Sequence, residues 1–401
     1  MAYSPIRKNV RKVTIELNKN FIDITKILPN KILTKSGNKI YPINIALQGE
    51  KVLVSRAKEK HGSDYIEKWI TVPSGSVCIW YSWPSGRNQS SNKNNGIRFK
   101  YLILPQFIPL DEVTLVALGL LEAEMETSQK RSNMVSFTNS EPSLINSVIG
   151  FFERLEVRAP EWHWYVTFNF KLLSYESEEV TKLRERLAEK YWVDNTLISS
   201  SMKNRKTFLY TGNKKCVNMR TTTVRWGSLR IACFDTILRF VIINLLKQIK
   251  ILLLKTDNKN IIGRYMAGIF AGECDIKYTQ SKSIDSVRIG CMDNFNKKMY
   301  KKCLIKLGVK SKCCFNCVCI NNKKNFYKLY DLGLVDLHPI RYKKFLIGLL
   351  AFKKFNKSEE GIKEKLMDIR KEIKSIIKKI TPCIEKREII FGGLSELHNL
   401  V

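Results

Sequence analysis

Acidic side chains are in short supply in this 401-residue chain: 37 Asp and Glu stand against 69 Lys and Arg, a formal net charge of +32 at neutral pH. Such a surplus repels itself unless much of it meets a polyanion, and nucleic acid is the first partner class to consider. A Lys-rich source, with Asn and Ile abundant too, is the other account of the same composition. Histidine is scarcer still, at four residues, so a His-based nuclease motif has little to draw on. No P-loop, dinucleotide fingerprint or nucleophile elbow occurs, which leaves little support for an enzyme acting outside nucleic acids. A long uninterrupted apolar run is missing as well. The longest stretch, Ile231 to Leu254, is broken by Asp235, Arg239, Lys247 and Lys250 and is not read as a membrane span.

A disulfide framework is also absent. The eleven cysteines are scattered from Cys78 to Cys383 with no signal peptide ahead of them, so the expected compartment is reducing: cytoplasm or nucleoid, or an organelle matrix if the gene is organellar, and not the outside of the cell. Cys303, Cys313, Cys314, Cys317 and Cys319 do cluster, and Cys314 and Cys317 have the C-x-x-C spacing of a zinc site. No second ligand pair follows at a matching distance, which leaves zinc or structural thiols as the readings.

What is present is room for two or three domains, with 44% apolar residues to fill their cores. Residues 1–110 are short alternating runs separated by turns, such as Lys12 to Leu17, Lys51 to Ser55 and Ser76 to Trp83, and are expected to be β-rich. The Ser-, Asn- and Gly-rich stretch Pro84 to Gly96 is expected to be an exposed loop. From Asp111 the periodicity turns helical.

An internal repeat then organises the chain. Val135 to Val157 (VSFTNSEPSLINSVIGFFERLEV) and Val287 to Val309 (VRIGCMDNFNKKMYKKCLIKLGV) superpose over 23 residues without a gap. Each has a short alternating strand, an acidic turn at Glu141 or Asp293, and a helix ending in Leu155 and Val157 or Leu307 and Val309. Each is preceded by a small-residue helix with a terminal glutamate: ALGLLEAEM, Ala117 to Met125, and MAGIFAGEC, Met266 to Cys274. Gly119 and Ala123, and Gly268, Ala271 and Gly272, would let two helix backbones approach closely. If they pack about a pseudo-twofold axis, Glu124 and Glu273 meet at the helix C-termini. A carboxylate there opposes the helix dipole unless a cation offsets it, and a pair of them asks for a divalent metal; hard oxygen ligands suit Mg²⁺.

ALGLLEAEM and MAGIFAGEC resemble the two motifs of a single-chain LAGLIDADG homing endonuclease, and the resemblance extends from about Asp111 to Phe355. It implies an α+β fold: two pseudo-symmetric αββαββα repeats forming a DNA-binding saddle, here behind a β-rich N-terminal domain. It implies a monomer that hydrolyses both strands of double-stranded DNA with Mg²⁺, and a gene associated with an intron or intein. Carried over by position, Glu124 and Glu273 match the acidic metal ligand of each motif. Glu122 and Ala271 stand where the motif has its first Asp, and Met125 and Cys274 replace its final Gly. A catalytically degenerate relative, an intron RNA maturase or a DNA-binding regulator, is the alternative. The domains expected are 1–110, a first repeat over 111–256, a second over 257–355, and a basic tail over 356–401.

Strand alternation nominates the DNA-facing side chains. In Tyr165 to Leu172 the apolar Val166, Phe168, Phe170 and Leu172 point to a core, leaving Tyr165, Thr167, Asn169 and Lys171 outward. Ser136 and Thr138 in the first repeat and Arg288 in the second join them. Arg220, Thr222, Arg225 and Arg230, ahead of a helix starting near Phe234, complete a basic face suited to phosphates and purine edges. Met202 to Lys215 resembles a basic hairpin turning at Thr211 to Asn213, with Lys203, Arg205, Lys206, Lys214 and Lys215 as phosphate contacts. His338–Pro339 is expected to mark a turn at the end of the last strand segment. In the tail, Ile362, Leu366, Ile369, Ile373, Ile376 and Ile380 form one apolar stripe on a helix that Pro382 stops.

Overall fold

The computed structural model describes residues 20–33, 40–58, 65–84, 97–125, 134–157, 162–169, 178–198, 206–211, 226–279 and 283–352. The amphipathic tail stripe and the Pro84 to Gly96 loop, except Pro84 itself, lie outside them. The chain is a mixed α/β protein of several small sheets, and it divides into two compact units at the Glu273–Cys274 bond. No helix among the described residues is long and apolar enough to cross a membrane.

In the first unit, the described residues between 21 and 109 are almost wholly strand: β1 (Phe21–Asp23), the single turn α1 (Ile24–Ile27), β2 (Lys31–Leu33), β3 (Ile40–Pro42), β4 (Asn44–Leu47), β5 (Lys51–Lys58), β6 (Tyr65–Thr71), β7 (Ser76–Pro84), β8 (Ile97–Pro105) and β9 (Phe107–Pro109). The central sheet, in the order β4-β7-β8, lays Cys78 and Ala46 on Val52 and Val54 of β5. Alternation along β7 sends Tyr81 and Val77 to its other face.

Among the described residues four helices and a sheet follow: α2 (Glu112–Glu124), β10 (Val135–Asn139), α3 (Pro142–Arg154), β11 (Trp162–Asn169), α4 (Glu178–Asn195), β12 (Lys206–Thr211), β13 (Ser228–Cys233) and α5 (Thr236–Lys255), and then α6 (Lys259–Glu273) closes the unit. The long apolar stretch from Ile231 thus splits between β13 and α5. Asp235 separates the two because its carboxylate caps α5, accepting from the Leu238 amide at 2.8 Å. The same carboxylate meets Lys100 of β8 at 3.2 Å, tying the β-rich region to α5. Asp111 caps α2 in the same way through the Thr114 amide at 3.0 Å and pairs with Arg154 at the end of α3. Burial pushes the Asp111 carboxyl up, but the Thr114 amide and the Arg154 guanidinium outweigh it and hold it below its ordinary value.

The second unit contains β14 (Cys274–Tyr278), β15 (Ile284–Gly290), α7 (Asn294–Lys306), β16 (Lys312–Cys313), β17 (Cys317–Asn321), α8 (Lys323–Asp331) and α9 (Pro339–Leu350). Its sheet runs β14-β15-β17-β16, all neighbours antiparallel. The first unit's sheet runs β10-β13-β11-β12. Its β10-β13-β11 part matches β15-β17-β16 in order and direction, while β12 lies parallel to β11 at the edge.

The 23 superposable residues fold alike. α3 and α7 are both 13 residues long and begin and end at equivalent positions. Both end the same way. The Val157 amide reaches back to the Phe152 carbonyl at 3.1 Å, and the Val309 amide to the Leu304 carbonyl at 2.8 Å. That bond needs a left-handed residue just before it, supplied by Glu156 at φ 58° and Gly308 at φ 78°. His338 does not end a strand: it precedes α9 as its N-cap, buried, with Pro339 in the first turn.

Candidate functional site

Two helices meet through their smallest residues. A Cβ placed on Gly119 of α2 would strike the Tyr265 carbonyl oxygen of α6 and lie 3.0 Å from the Gly268 Cα. A Cβ on Gly268 would strike the Val116 carbonyl oxygen and lie 3.0 Å from the Gly119 Cα. The contact is reciprocal: Val116 and Gly119 stand to Gly268 as Tyr265 and Gly268 stand to Gly119. One turn on, a Cβ at Gly272 would strike the Ala123 side chain, so the helices run in the same direction and their C-terminal ends lie together.

Those ends are Glu124 and Glu273, the last residues of α2 and α6, both half-buried. Glu124 leans over the neighbouring helix, its Cγ 3.4 Å from the place a Gly272 Cβ would take, one residue from Glu273. Glu122 points elsewhere, to Lys250 of α5 at 2.6 Å. Arg264 of α6 pairs with Glu112 of α2 at 2.8 Å near the other end of the contact. Beside Glu273, burial, opposed by Arg341 and aided by Asp275, pushes the Cys274 thiol up to about 12, so it stays protonated at neutral pH. Among the described residues no group of three or more His, Cys, Asp or Glu is set to hold a metal; any ion between the helix ends would complete its shell with main-chain carbonyls and water.

The first unit's sheet separates an apolar face from a polar one. Val135, Phe137, Leu229, Ile231, Trp164, Val166 and Phe168 are buried on the former. On the latter Thr138, Arg230 and Tyr165 form one row across β10, β13 and β11, with Thr167 opposite Ser228 beside it. Thr138, Tyr165, Thr167 and Arg230 are all half-exposed. Ser136 differs from the outward-facing contact its alternation suggests: it is 3% exposed because it lies under Arg230, whose Nη2 donates to its hydroxyl at 3.1 Å. It positions the guanidinium. Asn169 ends β11, and Lys206 opens β12 opposite Trp164. Residues 206–211 add to β11 in parallel, and the second arm of the expected hairpin, from Gly212 on, lies outside the described residues. Lys171, Lys203, Arg205, Lys214, Lys215, Arg220, Thr222 and Arg225 lie outside the described residues.

In the second unit Arg288 is half-exposed, and its Nε donates to the buried Ser286 hydroxyl at 3.1 Å, a second Arg over a Ser. The register adds Lys277, Asn321 and Lys312 to the same face, all exposed. Sequence reading missed these three. Lys277 lies in β14, within a stretch between glutamate and repeat that shows no clear alternation. His163 was missed too; it is half-exposed beside Tyr165, rings 6.4 Å apart, and alternation from Tyr165 would have found it.

No protein-family profile and no curated protein matches the chain. Solved structures with some likeness include I-DmoI in complex with DNA and Mn, 13% identical over 56% of this chain and 97% of that one, with a TM-score of 0.31. Full-length DUF199/WhiA from Thermatoga maritima is 11% identical over 69% of this chain and 74% of that one, at 0.31. The N-terminal LAGLIDADG domain of DUF199/WhiA is 11% identical over 57% and 82%, at 0.28. Likenesses of this degree do not carry a fold or a function to this chain.

Proposed function

We propose that this chain is a site-specific double-stranded DNA endonuclease of the LAGLIDADG homing type, hydrolysing phosphodiester bonds with Mg²⁺ held by Glu124 and Glu273. The observation that carries the reading is the reciprocal glycine contact, because it brings two helix C-termini, each ending in a glutamate, to one place. The donor set fits a hard divalent cation: two carboxylates beside main-chain carbonyls that carry the negative end of each helix dipole. Glu122 is paired with Lys250 instead. When bound, the metal supplies an activated water and charge neutralisation at the leaving oxygen. The chain's own work is positioning. Arg230, held by Ser136, and Arg288, held by Ser286, present pre-oriented guanidinium groups to phosphates or guanine edges. Thr138, Tyr165 and Thr167 line the same polar face as Arg230 and would fix register.

The test is cleavage of a plasmid library carrying the gene's own flanking sequence by purified full-length protein. Mg²⁺-dependent cutting is expected. Glu124→Gln and Glu273→Gln should each abolish it while the gel shift on the target and the melting temperature stay unchanged. Cutting that survives in the double variant overturns the assignment.

A second reading, a catalytically degenerate nucleic-acid-binding protein such as an intron RNA maturase or a DNA-binding regulator, is favoured by one feature. The β-rich residues 21–109 are joined to α5 through Lys100 and Asp235 as part of the first unit, an elaboration that strand cleavage does not require. Tighter binding to the host intron RNA than to duplex DNA, with no cutting, would select it.

A further inference from the structure

The C-x-x-C pair has no part in the nuclease reading, and its geometry points to chemistry of its own. Cys314–Phe315–Asn316 turns the chain between β16 and β17, and the Cys314 amide donates to the Cys317 carbonyl at 2.8 Å. The two cysteines therefore face each other across the narrow end of a hairpin. Facing residues in a hydrogen-bonded antiparallel pair have Cα atoms about 5.5 Å apart, within the roughly 4.4–6.8 Å that a disulfide spans. Both are free thiols here, and the Cys314 thiol lies close enough to help raise that of Cys317. Cys314 is exposed and Cys317 buried. The neighbouring thiols are engaged elsewhere: Cys319 with the Asn321 Oδ1 at 2.8 Å, Cys313 with the Lys297 carbonyl at 3.7 Å on the opposite face.

We propose that Cys314 and Cys317 form a modification site, a dithiol that low-molecular-weight disulfides oxidise reversibly to an intramolecular disulfide. The Cys314 thiolate attacks one sulfur of the incoming disulfide, its S–S bond breaks, and one thiolate leaves. The Cys317 thiolate then attacks the Cys314 sulfur and expels the second. The two protons lost by the cysteines are taken up by the two departing thiolates, so the protein loses two hydrogens and the oxidant becomes two thiols. Exposure fixes the order, since of the two cysteines Cys314 is exposed and Cys317 buried. Burial first, and then the neighbouring Cys314 and Cys319 thiols, raise the Cys317 thiol above its ordinary value, so the closing step should quicken as pH rises.

The experiment treats reduced full-length protein with oxidised glutathione, alkylates what remains, and maps the hairpin peptide by fragmentation mass spectrometry. The expected product links Cys314 to Cys317, two hydrogens lighter, and dithiothreitol restores it. Cys317→Ser should instead accumulate glutathione on Cys314, and Cys319→Ser should behave as the unaltered protein. A lasting glutathione adduct on Cys314 in the unaltered protein, a link from Cys314 to Cys313 or Cys319, or alkylation of both thiols would each overturn the proposal.

Discussion

His338 shows how one buried side chain ties stability to pH. Burial, then the nearby positive charge of Arg341, depresses its imidazole from 6.5 to about 4. The unfolded chain therefore takes up this proton as pH falls below 6.5, while the folded chain does so only near 4. Between these values the unfolded state binds more protons, so stability is full above 6.5, declines as pH drops toward 4, and is flat below. The contribution of this one group is bounded by about 3 kcal/mol at 1.36 kcal/mol per pH unit. Denaturant titrations at pH 7.5 and 4.5 should show a smaller loss for His338→Phe than for the unaltered protein. An equal loss in both would assign the acid sensitivity to other groups. From the sequence this histidine is expected at a turn that ends a strand; it caps a helix instead, and its burial depends on contacts that no local pattern encodes.

Among the elements, the contact of α2 with α6 makes the sharpest demand. Gly263 and Gly268 lie on the same helix and should answer alanine in opposite ways. At Gly263 a Cβ meets nothing within 4 Å, so Gly263→Ala should stabilise by about 0.5–1 kcal/mol through helix propensity alone. At Gly268 the Cβ meets backbone, which cannot yield as a flexible side chain would. Gly268→Ala should lower stability by about 1–3 kcal/mol, as overpacking does, and Gly119→Ala likewise. Thermal or denaturant unfolding of the variants reads this directly, and equal tolerance at positions 263 and 268 would refute the close approach. Much at this scale was legible. The small-residue spacing foretold two helices able to approach, and the 23-residue superposition is accompanied by two helices of equal length that end alike, because a helix period and a C-terminal stop are local signals. Less legible were β14, hidden in the interval after Glu273, and the parallel addition of β12 to β11. A parallel partner is chosen by a distant strand and leaves no signal in the local turn residues.

For the molecule as a whole the governing quantity is the charge of +32. If the polar sheet faces engage a duplex, binding releases condensed counterions, and affinity should fall steeply with salt. With six to ten phosphate contacts the loss between 50 and 200 mM salt is about 10³ to 10⁵. A fluorescence titration on duplex DNA across that range measures it. A nearly flat salt profile would mean that the lysines merely reflect the composition of the source. Composition could nominate the partner class but not the faces, because the register that gathers Lys277, Asn321 and Lys312 around Arg288 comes from strand pairing. The boundary between the compact units has a practical side. It falls at the peptide bond after Glu273, so anyone dividing the gene into two separately expressed halves along this seam would leave Glu273 as a terminal residue. Its side-chain carboxylate would gain an α-carboxylate as neighbour, so a split at this seam would also alter the charge offered to the Mg²⁺ proposed there.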